Sequence, residues 1–136
     1  MSSPAPACLR ALADATARWP LRDRRSDGIM GDQRHQAKPS DHNLGNAFDI
    51  DHDPDHGVDI AELADLALTD PRTKYVIRNG EIWNASIVAA WRPYKGDNQH
   101  RHHMHVSIHA SMRDDVSPWP WSPLRQTDRP RGCSLT

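Results

Sequence analysis

The sequence predicts an α+β domain, with two helices lying on a small, mainly antiparallel sheet. Two stretches carry helix-like spacing, Ala7 to Trp19 and Asp59 to Asp70. Two short runs alternate apolar and polar residues as strands do, 46–51 and 103–108. Two β-rich runs, Tyr75-Val76-Ile77 and Glu81-Ile82-Trp83, meet at Asn79-Gly80, the strongest short-range hairpin signal. At 136 residues the chain amounts to one domain with a single core.

The first helix rests on Ala11, Ala13, Ala15 and Ala17, all strong formers, with Leu9, Leu12 and Trp19 as its apolar stripe. Pro20 stops it. Leu21 to Pro39 is polar, with turn signals at Asp27-Gly28 and Gly31-Asp32, and reads as a long ordered loop holding short pieces of structure. After strand 46–51, residues His52 to Gly57 form a turn-rich acidic loop. Asp59 caps the second helix, with Glu62 placed three residues on as in a capping box. Its stripe is Ile60, Leu63, Leu66 and Ala67, and Asp70-Pro71 ends it. Beyond the hairpin, Trp91 to Gly96 reads as a loop or short turn. The region after Val116 is expected to be extended and to pack its tryptophans. Residues 123–136 are expected to be a polar, disordered tail.

Composition removes several classes. Seventeen Lys and Arg against eighteen Asp and Glu leave a net charge of −1, so no basic surplus points to a nucleic-acid partner. No run of about 18 apolar residues is available to span a membrane. Met1 to Leu12 lacks the basic and apolar regions of a secretory signal, so synthesis in the cytoplasm is expected. Cys8 and Cys133 stand at opposite ends and read as reduced thiols rather than a disulfide framework or a cysteine zinc site. The outlying number is nine histidines, most of them clustered. Histidine is the commonest metal ligand.

Two segments carry the chemistry, Ser40 to Ile50 and His100 to Ile108. On a strand, Met104, Val106 and Ile108 face the core, while His103, His105 and Ser107 share the opposite face. Two imidazoles two residues apart lie about 6.5 Å apart along a strand, close enough for one to bind a metal and the other to reach water or substrate beside it. Alone, a His-x-His is more often a pair of surface histidines. Gly45 allows a turn that brings His42 toward Asp49, whose neighbours Phe48 and Ile50 point into the core. One aspartate and two histidines supply the three protein ligands of a catalytic zinc site.

The pattern Ser40-x-His42-x6-Asp49 followed by His103-x-His105 resembles the zinc D-Ala-D-Ala metallopeptidases. These form a larger group with lysostaphin-type enzymes and the hedgehog domain, and phage endolysin peptidases are relatives. Asp27 to Asp32, Ser40 to Asn43, Tyr75 to Ile77 and His103 to Ser107 look like the actinobacterial or actinophage branch. The resemblance covers about residues 9–108. It implies a zinc peptidase domain over residues 1–122, one Zn²⁺ per chain and a zinc site in a cleft on the sheet. It implies His42, Asp49 and His105 as ligands and His103 as the catalytic histidine beside them. Some relatives carry an acidic base three residues before the last ligand, where this chain has His102. The base candidates are therefore His103, then Asp97, then His102, while Asn98 and His100 are expected to orient ligands. Arg34 and Lys38 are candidates for a substrate carboxylate, and Ser40 for a supporting hydrogen bond. The implied substrate is a peptide bond of the peptidoglycan stem or crosslink, cut by a monomer that acts on the bacterial cell wall with no nucleic acid and no membrane insertion.

Other readings compete. A zinc-binding module without catalysis would keep the ligands and lack the base. A histidine-metal nuclease would need a basic surface. The run Asp49, Asp51, Asp53, Asp55 suggests a calcium loop, but the sixth position is Pro54 or His56 rather than Gly. Trp83, Trp91, Trp119 and Trp121 offer rings for sugars, although tryptophan more often packs in a core or rim.

Overall fold

The computed structural model describes residues 3–29, 44–96 and 100–124. It is the expected α+β arrangement, an antiparallel sheet with helices on one face. Helix α1 spans Pro6–Arg18, strand β1 Ala47–Asp51, helix α2 Ile60–Ala67, β2 Thr73–Arg78, β3 Glu81–Asn84, β4 Val88–Pro93 and β5 His103–Ile108. The strand order is β1-β5-β2-β3-β4. The chain therefore leaves a slot between β1 and β2, and β5 fills it last.

Pro6 opens α1, where its missing N–H costs nothing, and the helix ends at Arg18, with Trp19 as its cap and Pro20 next. The buried stripe is Ala7, Cys8, Ala11, Asp14 and Ala15; of the expected stripe, Leu12 and Trp19 are half-buried against the core and Leu9 is exposed. The reason lies at the other end of the chain. Trp119 and Trp121 lie fully buried, and their indole nitrogens donate to the Ala7 and Ala11 carbonyls at 2.9 and 3.0 Å. Small helix residues let the rings sit on the backbone. Asp14 is buried because its carboxylate accepts the Trp119 backbone N–H at 2.9 Å while Arg10 pairs with it. Phe48 of β1 meets both rings edge-on. The expectation that these tryptophans pack holds, and their burial removes Trp119 and Trp121 from any sugar surface.

Helix α2 is capped as expected: the Asp59 carboxylate accepts the Ala61 N–H at 2.9 Å. It stops at Ala67, short of Asp70-Pro71. Leu66 is exposed and Ala64 takes the buried position. Asp70 instead turns to Arg72, a buried pair whose guanidinium also reaches the Asp115 and Ser117 carbonyls and lies 4.0 Å from the Trp119 ring.

The hairpin forms where predicted. Asn79 and Gly80 both take positive φ, 49° and 77°, which a two-residue turn matched to strand twist requires. β4 departs from the expected loop over residues 91–96. Val88, Ala89 and Ala90 are exposed on an edge strand, so no alternation marks them in the sequence. Their strand is defined by pairing to β3 and by the edge-on Trp83–Trp91 contact, with Arg78 stacked 3.6 Å from the Trp91 ring.

In the loop after α1, Arg22 is buried and clamps Asp27 through two hydrogen bonds. Gly28 then bridges to Asp49, its carbonyl accepting the Asp49 N–H at 3.0 Å. The acidic loop 52–57 contains a single 3-10 turn, Pro54–His56. Two of its surrounding carboxylates are committed to backbone. Asp51 accepts the Ser26 N–H at 2.7 Å, and Asp53 accepts the Asp23 N–H at 2.8 Å. That amide, with His56 beside it, holds the Asp53 carboxyl below the usual range. These carboxylates serve the fold, not a calcium loop.

Gly45 carries the N-terminal strap. Its φ is +78°, its carbonyl accepts the Ala5 N–H, and a Cβ there would collide with the Ser3 backbone carbonyl. Gly45→Ala should cost on the order of 1–3 kcal/mol in urea unfolding. A loss below about 0.5 kcal/mol would show that the strap moves aside freely.

Candidate metal centre

The helix-free face of the sheet gathers the histidines. Strand alternation sends Met104, Val106 and Ile108 into the core and turns His103, His105 and Ser107 to the other face, as expected. Register then sets their partners. Asp49 stands directly across from His105 and Asp51 across from His103 on β1, while Ile77 and Tyr75 stand across from His105 and Ser107 on β2.

The distances are those of a ligand cluster. Asp49 Oδ1 lies 3.2 Å from His105 Nδ1, and Asp49 Oδ2 lies 3.7 Å from His103 Nε2. Two ligands bound tetrahedrally at about 2.0–2.2 Å from one zinc lie roughly 3.3–3.6 Å apart. The Asp49–His105 edge sits close to that spacing. His105 Nε2 is 2.8 Å from Ser107 Oγ. That partner fixes the ring and leaves Nδ1 facing Asp49, the arrangement by which a neighbouring group orients a metal-ligating histidine. Tyr75 stacks on the same ring at 5.5 Å. His105 is buried, and the Asp49 and His103 side chains keep only 18% and 15% exposure.

His100 completes the group. Its ring centroid is 4.7 Å from His103 and 5.4 Å from His105. Asp49, His100 and His103 each offer one ligand atom within 4.8 Å of the others, so the trio can hold a metal ion. His100 lies in the bend before β5 with φ +54°, an uncommon conformation for a non-glycine residue. The hairpin turn holds it there, since its carbonyl accepts the Asn79 N–H at 2.8 Å. The turn that is plainest in the sequence thus braces a residue whose placement no periodicity reveals.

No family model, curated protein or solved structure matches this chain.

The expected residues divide as follows. Asp49, His103 and His105 come together, and His100, expected only to orient ligands, stands within ligating distance. His102 is exposed outside β5, its carbonyl accepting the His52 N–H, so it is the weakest of the base candidates. His42, Asp97, Asn98, Arg34, Lys38 and Ser40 lie outside the described residues. Ser107 and Tyr75 are the supporting residues that sequence reasoning left without a role; β5 alternation with the β2 register is the signal that finds them. Among the described residues, no helix is long and apolar enough to cross a membrane.

Proposed function

We propose that this chain is a zinc metallopeptidase that hydrolyses a peptide bond in bacterial peptidoglycan, of the D-Ala-D-Ala carboxypeptidase or endolysin endopeptidase type. The observation that carries the reading is the convergence of Asp49, His100, His103 and His105 on one sheet face. The donor set of imidazoles and a carboxylate suits zinc. In this reading His42, Asp49 and His105 hold the ion, as the sequence resemblance implies. The ion when bound supplies Lewis acidity at the scissile carbonyl and at water.

The chain's own residues do the rest. Ser107 Oγ, 2.8 Å from His105 Nε2, would accept a hydrogen bond from the proton carried there when Nδ1 binds the ion. Asp49 is anchored on both sides, by β5 and by the Gly28 carbonyl, so its backbone is held in place beside His105. His103 Nε2 faces Asp49 without lying in the tight Asp49–His105 edge, and it takes the proton from attacking water and passes it to the leaving amine. His100 stands beside the cluster, its ring 4.7 Å from His103 and 5.4 Å from His105.

His103→Ala separates this role from ligation. The variant should keep its zinc and lose about 10²–10⁴-fold in turnover. Equal loss of zinc would make His103 a ligand, and full activity would remove it from the mechanism. The activity itself is tested by incubating the zinc-loaded chain with defined stem peptides and weighing the fragments. Intact peptides throughout would overturn the proposal in favour of a zinc-binding module.

A further inference from the structure

We infer that Arg92 recognises a carboxylate of the substrate, two or three residues from the bond that is cut; this rests on the peptidase reading above and names the substrate class of the same site. Directly paired residues share a sheet face. Pairing runs in one row across all five strands, from Asp49 to His105, Ile77, Ile82 and Arg92. Arg92 therefore rises from the same face as the metal centre, although nothing in its local sequence links it to the histidines.

Its chemistry differs from that of the other well-anchored arginines. Arg22 is committed to Asp27, Arg72 to Asp70 and Arg78 to Glu81. Among the described residues no carboxylate pairs with Arg92, and its buried Nε, like those of Arg22 and Arg78, donates to no acceptor. A buried, unanswered donor on a cation with no carboxylate partner favours an incoming acceptor. The guanidinium fork fits a carboxylate through two parallel hydrogen bonds. Between Arg92 and the histidines lie Ile77 and Ile82, both buried, so the row that joins them is apolar.

Distance selects the substrate. Three interstrand spacings of about 4.8 Å put the Arg92 backbone roughly 14 Å from that of His105. An arginine side chain leaning across the face closes part of this gap, and an extended peptide advances about 3.3 Å per residue. The carboxylate it meets stands two or three residues from the scissile carbonyl. A terminal D-Ala carboxylate, one residue away, falls short. The D-Glu α-carboxylate of a stem peptide cut at its D-Ala crosslink has the required separation. The class is therefore a crosslinked stem peptide cut internally.

The test uses two synthetic crosslinked stem peptides, one with the D-Glu α-carboxylate free and one with it amidated. With the zinc-loaded chain, amidation should lower kcat/KM about 10–100-fold, mainly through KM. Arg92→Gln should lose the same factor on the free acid and no longer discriminate. Arg92→Lys should recover part of it. Unchanged melting temperature and zinc content of the variants exclude a folding effect. Undiminished discrimination by Arg92→Gln would overturn the inference. Calorimetric binding of the same two peptides decides it independently of turnover: Arg92-dependent preference for the acid without cleavage would keep the recognition role while contradicting the peptidase reading, and equal binding would overturn the inference.

Discussion

His105→Ala should abolish zinc binding and activity together and should lower the melting temperature of the zinc-loaded protein. His105 is the centre of the site. Its Nδ1 lies 3.2 Å from Asp49 Oδ1, its Nε2 lies 2.8 Å from Ser107 Oγ, and Tyr75 stacks on its ring. In the proposed ligand set, removing it takes away one imidazole ligand and leaves Asp49 beside His103 and His100. Ser107→Ala removes only the partner that orients the ring, so it should weaken zinc binding by roughly 10–100-fold. His105→Ala should exceed that. Metal binding contributes folding free energy, so the two variants should rank in the same order by zinc-dependent stabilisation. Unchanged zinc stoichiometry in His105→Ala would sink the ligand assignment.

Trp119→Ala should be the most destabilising single change away from the site, at about 3–5 kcal/mol in urea unfolding. The indole is fully buried and joins elements more than a hundred residues apart. It donates to the Ala7 carbonyl, its ring meets Phe48 at 5.2 Å, and the Arg72 guanidinium lies over it at 4.0 Å. Truncation leaves a cavity against a helix of alanines that cannot swell to fill it. It also exposes the charge pair Asp70–Arg72 on one side. Trp83→Ala, half-buried beside Trp91 on the outer strands, should cost distinctly less. A Trp119→Ala loss of under about 1 kcal/mol would mean the C-terminal segment is not docked in solution.

Local signals account for most of the sheet. Alternation in 103–108, the Asn79-Gly80 turn and the Asp59 cap each depend on neighbours within a few residues, and each forms where its residues predict. The buried face of α1 is legible only in part: Leu12 and Trp19 pack on the core as expected, while the small residues beneath Trp119 and Trp121, far along the chain, are selected by those rings. The same holds for β4, an exposed edge strand that exists through pairing with β3. In the site, Asp49 and the His-x-His face follow from period-two reasoning. His100 does not, since a positive φ carries it toward the histidines and partners distant in sequence, the Asn79 N–H among them, hold it there. Arg92 required the register of all five strands.

The account meets its most direct test in one sample: zinc content of the purified chain, measured together with release of amino groups from purified actinobacterial peptidoglycan, with and without chelator. One zinc per chain and release that stops on chelation are predicted, with fragment masses naming the bond. A chain that binds no zinc, or holds zinc and releases nothing, would contradict it.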